Sequence, residues 1–322
     1  MSREIAFHQA LSEAVALMME ADDRVFIFGE GVPDPKTIFG STAGLKERFG
    51  EERVFDTPLS ENGLTGIAIG AALAGMRPVM THQRIDFALL AMDQIVNHAA
   101  KRCYTSGGKQ GVPVTIRSII GRGWGQGSQH SQSLHAFFAH IPGLKVVMPV
   151  TPHDAKGLLI ASIEDNNPVM FIEHRWLYNV IGHVPEGIYR TPLGPGKLFR
   201  EGKDVTIVAI SYMVMEALRA AEMLAKEGLE AEVLAVQTLR PVDDSMILDS
   251  VRKTLRAAPR RVALPDCPTP TTPALANHYY PRAIHVANVV AEMADLPAET
   301  TLLETPTTVP LDVPDKNFPG PF

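Results

Sequence analysis

The chain alternates between two hydrophobic rhythms, and the alternation predicts its architecture. Residues 5–21 place Phe7, Leu11, Ala14, Val15, Met18 and Met19 at helical spacing. Val25-Phe26-Ile27-Phe28 follows as a continuous apolar run closed by Gly29-Glu30-Gly31. A run that is apolar at every position reads as a strand buried on both faces. Such strands build parallel sheets, whose C-terminal ends present polar residues to a ligand. The rhythm continues through an extended run at 53–55, a helix over 62–75, a strand over 77–81 and a helix over 88–102. Strands over 112–118 and 145–148, a helix over 152–164 and a strand over 168–173 complete a doubly wound α/β domain, residues 1–180. Glycines and prolines then break all periodicity from 181 to 203, which reads as an interdomain linker. A second α/β domain is expected over 204–295, with strands at 205–210, 230–236 and 260–264 and helices at 213–228, 243–257 and 282–294. The Pro- and Thr-rich tail, 296–322, is expected to lack regular structure.

Composition narrows the class without naming it. At 322 residues the chain exceeds one ordinary core, in keeping with two domains. Apolar residues make up 45% and charged residues 20%, as in a well-packed soluble protein. A net charge of −6 and the lack of a basic stripe argue against a nucleic-acid partner. The two cysteines, Cys103 and Cys267, form neither a zinc spacing nor a disulfide framework, which fits a reducing cytoplasm. Neither a signal-peptide core nor an apolar run of about 20 residues is present, so no membrane association is expected.

The candidate chemistry gathers where strands give way to helices. Glu61 stands where the extended run at 53–55 breaks at Pro58 and a helix rich in Gly, Ala and Ile begins. Desolvation there raises its pKa and the free helix N–H groups lower it, so its residues alone leave it a capping acid or a working one. Glu30 ends a buried strand. Phe87 sits on a strand-to-helix turn, suited to a core or to a ring stack. His130 lies in the glycine-rich loop Gly-Gln-Gly-Ser-Gln-His-Ser-Gln-Ser. No Gly-x-Gly-x-x-Gly opens a helix there, which sets aside a dinucleotide site. Asp165 and Asn167 close a helix before Pro168 and suit a simple turn.

In order along residues 3–266 the chain carries Phe28-Gly29-Glu30-Gly31-Val32, Gly44-Leu45-Lys46-Glu47-Arg48-Phe49-Gly50, Asp56-Thr57-Pro58-Leu59-Ser60-Glu61, Asp86-Phe87 and Asp93-Gln94-Ile95-Val96-Asn97. His130-Ser131-Gln132-Ser133, Pro142-Gly143-Leu144-Lys145-Val146-Val147, Asp165-Asn166-Asn167-Pro168-Val169 and Leu239-Arg240-Pro241-Val242-Asp243 follow. Together these motifs resemble the β subunit of the thiamine-diphosphate-dependent decarboxylating component of 2-oxoacid dehydrogenases, of pyruvate, branched-chain and acetoin type. The resemblance implies a transketolase-like pyrimidine-binding domain followed by a transketolase C-terminal-like domain.

It also implies roles. Glu61 would hydrogen-bond a ring nitrogen of the cofactor's aminopyrimidine, helping its exocyclic nitrogen take the thiazolium proton, and an apolar helix would keep that carboxyl dry. Phe87 would stack on the same ring, with Glu30, Leu59, Ser60 and Gln83 around it. His130 would assist acyl transfer to a lipoyl group. Val114, Ser162, Ile163, Asp165 and Asn167 match oxygens that hold a structural potassium ion. The chain lacks Gly-Asp-Gly with a downstream Asn, so magnesium and the diphosphate fall to an α subunit in an α2β2 assembly. Two departures stand out. Thr81-His82-Gln83-Arg84 stands where many relatives have an acid and then Ile-Gln-Phe or a similar run, which would make Arg84 either a partner for a substrate carboxylate or a plain surface residue. A glycine-rich segment and helix usual in this domain are missing around the strand expected at 260–264, which leaves docking to a lipoyl acyltransferase core open. The competing readings are a two-chain, non-oxidative transketolase-like enzyme and a non-catalytic scaffold or regulatory homologue.

Overall fold

A computed structural model of the chain describes residues 3–34, 38–122, 126–254, 259–294, 296 and 313. The first unit runs β1 (Glu4–Ala6), α1 (Phe7–Ala21), β2 (Val25–Gly29), α2 (Leu45–Phe49), β3 (Val54–Phe55), α3 (Glu61–Leu73) and β4 (Arg77–His82). It continues with α4 (Ile85–Ala88), α5 (Ala100–Thr105), β5 (Thr115–Ile120), α6 (His135–Ala139), β6 (Lys145–Val147), α7 (Pro152–Glu164), β7 (Val169–His174) and β8 (Ile181–His183). The second unit holds β9 (Lys197–Arg200), β10 (Val205–Ala209), α8 (Met213–Lys226), β11 (Ala231–Ala235), β12 (Thr238–Arg240), α9 (Ser245–Thr254), α10 (Pro273–Ala276) and α11 (Ala283–Met293).

The main sheet has seven strands in the order β12-β6-β7-β5-β4-β2-β3, parallel throughout except for the antiparallel pair β12–β6. Its strands alternate side chains between two layers. On one face Val25, Ile27, Val79 and Phe171 pack under α1 and α7 with Leu11, Val15, Leu158 and Ile163. On the other, Phe28, Met80, Ile116 and Met170 pack under α3 and the helical stretch after β4 with Ala68, Ile85 and Ile95. Double coverage of this kind is what the uninterrupted apolar strands required.

Four expectations change. The helix read over 88–102 is a chain of short pieces: α4, a 3₁₀ turn at Leu89–Ala91, a π-helical stretch at Gln94–Ala99, then α5. A wide π turn shifts the facing residues by about one position, which 3.6-residue periodicity does not register. The segment 181–203 is tied at both ends, since β8 pairs with β1 and β9 with β11. The stretch 260–264 forms no strand. Pro259 and Pro265 bracket it, and Arg260 and Arg261 stay in solvent while Val262 packs on the second core. The second sheet is therefore β10-β11-β9, with β10 at its edge among the described residues. β12 leaves that unit to join the first sheet beside β6. The tail expected from 296 onward lies outside the described residues apart from Leu296 and Val313.

An ion pair lies inside the main sheet. Arg117 Nε donates to Glu173 Oε1 at 2.6 Å and Nη2 to Oε2 at 3.0 Å, while the Tyr178 hydroxyl donates to Glu173 at 2.5 Å. Arg117 is 0% and Glu173 1% exposed. Replacing Glu173 by Ala leaves a guanidinium alone in the interior, so Glu173→Ala should cost about 3–5 kcal/mol, read as a fall in the urea midpoint at unchanged m-value.

Candidate active site

The sheet order decides which loops meet. β5, β4, β2 and β3 are consecutive, and each exits at the same edge. His130 follows β5, Phe87 follows β4, Glu30 follows β2 and Glu61 follows β3, so four residues distant in sequence stand in a row. Gly29 makes the exit of β2 possible: its φ is +142°, and a Cβ there would lie 2.2 Å from the Thr81 carbonyl oxygen. Asp56 then ties two exits together, its Oδ1 accepting from the backbone N–H of Gly31 and of Thr57 at 2.9 and 2.8 Å. Below them Phe28 and Phe55 stack at 5.3 Å.

At one end of the row are two neighbouring carboxyls, Glu30 and Glu61. Burial raises the pKa of Glu30 from 4.5 to about 7, helped by the charge and hydrogen bond of Glu61 and by the charge of Asp56. Burial comes first and the neighbouring acids add to it, so Glu30 keeps its proton near neutrality. Beneath Glu61, one helical turn on, Thr65 Oγ1 lies 3.4 Å from His82 Nε2. Burial drives that imidazole down to about 4, so it stays neutral. The dry surround expected from α3 is one-sided: Glu61 is half-buried, Leu59 two residues before it is 82% exposed, and Ile67 further along the helix is 63% exposed. Ser60, the residue before α3, and Gln83 are exposed, and Gln83 Nε2 lies against Gly31.

At the other end Phe87 and His130 meet edge to face, ring centroids 5.1 Å apart at 83°. Arg84, expected to be free for a substrate carboxylate, is 3% exposed and committed elsewhere. Its Nη1 donates to the Gly121 carbonyl at 2.6 Å and its Nη2 to Gln126 Oε1. Burial and the neighbouring Arg175 lower its pKa to about 10. Its guanidinium thus fastens the loop that carries His130.

The five positions matched to a potassium site do converge at the end of α7, but the chain's own cations are already there. Arg77 Nη1 donates to the carbonyls of Ile163 and Asp165 at 3.0 and 3.1 Å, and Lys145 pairs with Asp165 Oδ2. Thr115 takes the Ser162 carbonyl at 3.0 Å, Val169 N–H the Val114 carbonyl at 3.0 Å, and Asn167 N–H Asp165 Oδ1 at 2.8 Å. Side chains and backbone thus hold this turn closed at Val114, Ser162, Ile163 and Asp165. Among the described residues no three His, Cys, Asp or Glu side chains group as a metal would need. Nor is any helix there long and apolar enough to cross a membrane.

Sequence reasoning passed over His82 and the anchors of the His130 loop. The one signal for His82 is a polar residue closing the apolar strand Val79-Met80-Thr81.

The sign of the Glu30 shift fixes a pH dependence. The folded chain holds that proton more tightly than the unfolded chain, so the contribution of this group to stability is fully present below about pH 4.5 and is lost as pH rises through about 7. Urea midpoints across that window should fall in the wild type and fall less in Glu30→Gln. Parallel curves for the two proteins would remove the shift.

Comparison with known proteins bears on this arrangement. Residues 3–180 match the model of the transketolase pyrimidine-binding domain and residues 194–258 that of the transketolase C-terminal domain. The chain is 42% identical over 327 residues to the acetoin:2,6-dichlorophenolindophenol oxidoreductase subunit beta of Cupriavidus necator, covering 89% of this chain and 96% of that relative. It is 43% identical over 253 residues to the pyruvate dehydrogenase E1 component subunit beta of Rickettsia felis, covering 79% and 78%. With the 2-oxoisovalerate dehydrogenase subunit beta of Bacillus subtilis it shares 44% over 251 residues, covering 78% and 77%. Among solved structures it is similar to a split-gene transketolase in an inactive β4 tetramer, with a TM-score of 0.61, 26% identity and coverage of 78% and 76%. The chain belongs to the transketolase-like family of β subunits of 2-oxoacid and acetoin dehydrogenases.

Proposed function

We propose that this chain is the β half of a thiamine-diphosphate-dependent oxidoreductase that oxidatively decarboxylates a small 2-oxoacid or cleaves acetoin, passes the acyl group to a lipoyl group, and works only with an α subunit in an α2β2 assembly. The observation that carries this reading is the row of strand ends on which the Glu30–Glu61 carboxyl pair stands beside the Phe87–His130 ring pair. The residues fit the aminopyrimidine end of the cofactor: one carboxyl holding a proton near neutrality, another beside it, and an aromatic ring on the next strand end. When bound, thiamine diphosphate supplies a nucleophilic carbon and an electron sink for the C–C cleavage.

The chain's own part is proton handling and orientation. Glu61 would hold a proton toward a ring nitrogen, with Glu30 keeping its own proton beside it. Phe87 would offer a ring to orient the heterocycle, with Leu59, Ser60 and Gln83 closing around it. His130, exposed at the mouth, would move a proton as the acyl group leaves for its acceptor.

The open side of Glu61 calls for a cover. Leu59 at 82%, Ile67 at 63% and Leu90 at 62% exposure supply apolar contacts for a partner chain, and burial under it would dry the carboxyls. That partner would also hold magnesium and the diphosphate. The two free cysteines suit a reducing cytoplasm. A two-chain transketolase-like activity is the second reading, supported by the split-gene transketolase likeness.

Co-expression with an α subunit, with thiamine diphosphate and magnesium added, should give a pair that reduces 2,6-dichlorophenolindophenol with acetoin or a small 2-oxoacid. Ketol transfer between sugar phosphates without dye reduction would favour the second reading. Glu61→Gln should abolish dye reduction while the thermal midpoint holds within a few degrees. Full activity in that variant would refute the assignment.

A further inference from the structure

One turn of chain, Arg84-Ile85-Asp86-Phe87, sends three side chains to a single loop. Arg84 reaches it at Gly121 and Gln126, both ahead of His130, and Phe87 meets the His130 ring. Asp86 takes the third anchorage: its Oδ1 accepts from the backbone N–H of Gln132 at 3.3 Å and from Gln132 Nε2 at 2.7 Å.

Asp86 is only 8% exposed, and its Oδ2 has no hydrogen-bond partner among the described residues. The charge of the buried Arg84 nearby offsets part of the cost of burying this carboxylate, but it leaves Oδ2 without a hydrogen bond and does not explain the bonds that Oδ1 makes. Helix capping does not account for it, because α4 begins without a side-chain cap bond. What the carboxylate does have is two hydrogen bonds accepted from the residue two positions after His130. His130 itself is exposed on an irregular loop, and a single edge-to-face ring contact is too weak to hold it in one orientation. A bond to both backbone and side chain of Gln132 restrains that stretch in position and in direction.

We propose that Asp86 is a positioning residue that, through Gln132, holds the His130 imidazole against the Phe87 ring in the orientation that acyl transfer needs. This rests on the reading of His130 given above. Asp86 touches neither substrate nor cofactor in this role. It removes motion that would otherwise have to be frozen out at each turnover.

The test uses the full chain with ¹³C-labelled histidine. The His130 signal is identified by its loss in His130→Gln, and the Phe87 ring-current displacement by the shift in Phe87→Leu. Asp86→Ala and Gln132→Ala should each move the His130 signal to its Phe87→Leu position, and the double variant should move it no further. Asp86→Asn, whose amide oxygen still accepts, should leave it in place. In the reconstituted pair Asp86→Ala should lower kcat for transfer to a lipoyl acceptor by roughly 10- to 100-fold, with KM for the first substrate unchanged. A His130 signal that stays put in both alanine variants would overturn the proposal. Should Asp86→Ala fail to fold, Gln132→Ala decides alone. A displaced signal with undiminished transfer would leave the clamp standing and sink the role of His130 instead.

Discussion

Two carboxyls forced together at adjacent strand ends are the constraint around which this molecule is arranged. Glu30 and Glu61 are neighbours because β2 and β3 are adjacent and Asp56 ties their exits. Burial, with the acids around it, holds a proton on Glu30 near neutral pH. Proton exchange with a weakly basic ring nitrogen needs such a donor, poised and not fully ionised. The apolar sheet below contributes the desolvation. The side above is open, with Leu59 and Ile67 in solvent.

The parallel sheet explains why so short a row can hold so much. Each crossover returns the chain to the same edge, so residues separated by tens of positions become neighbours with no long-range design beyond strand order. Arg84 and Asp86 extend this logic to the loop after β5. A single turn after β4 grips that loop at Gly121, Gln126 and Gln132, and so sets where His130 can stand.

What could be read from the sequence followed what is local. The helices at Phe7–Ala21 and Pro152–Glu164 and the buried strands show their periods directly. Glu30, Glu61, Phe87 and His130 were visible through motif order. The π-helical stretch was not, because Asp93-Gln94-Ile95-Val96-Asn97 has the composition of an ordinary helix. Three-residue β12 carries too short a pattern to announce a strand, and 260–264 has the pattern without the pairing. Arg84 was misread because its partners, Gly121 and Gln126, lie 37 and 42 residues away and nothing near it signals burial. Asp165 and Asn167 meet in one turn, and Arg77 and Lys145 reach the Ile163 and Asp165 oxygens there from other strands.

The Glu30 proton can be seen directly. Carboxyl ¹³C NMR of the glutamate-labelled chain, titrated through neutrality, should show one side chain with a midpoint near 7, returning toward the ordinary glutamate range when Glu61 is replaced by Gln. A chain in which every glutamate titrates in the ordinary range, or in which that midpoint ignores the substitution, would contradict the account.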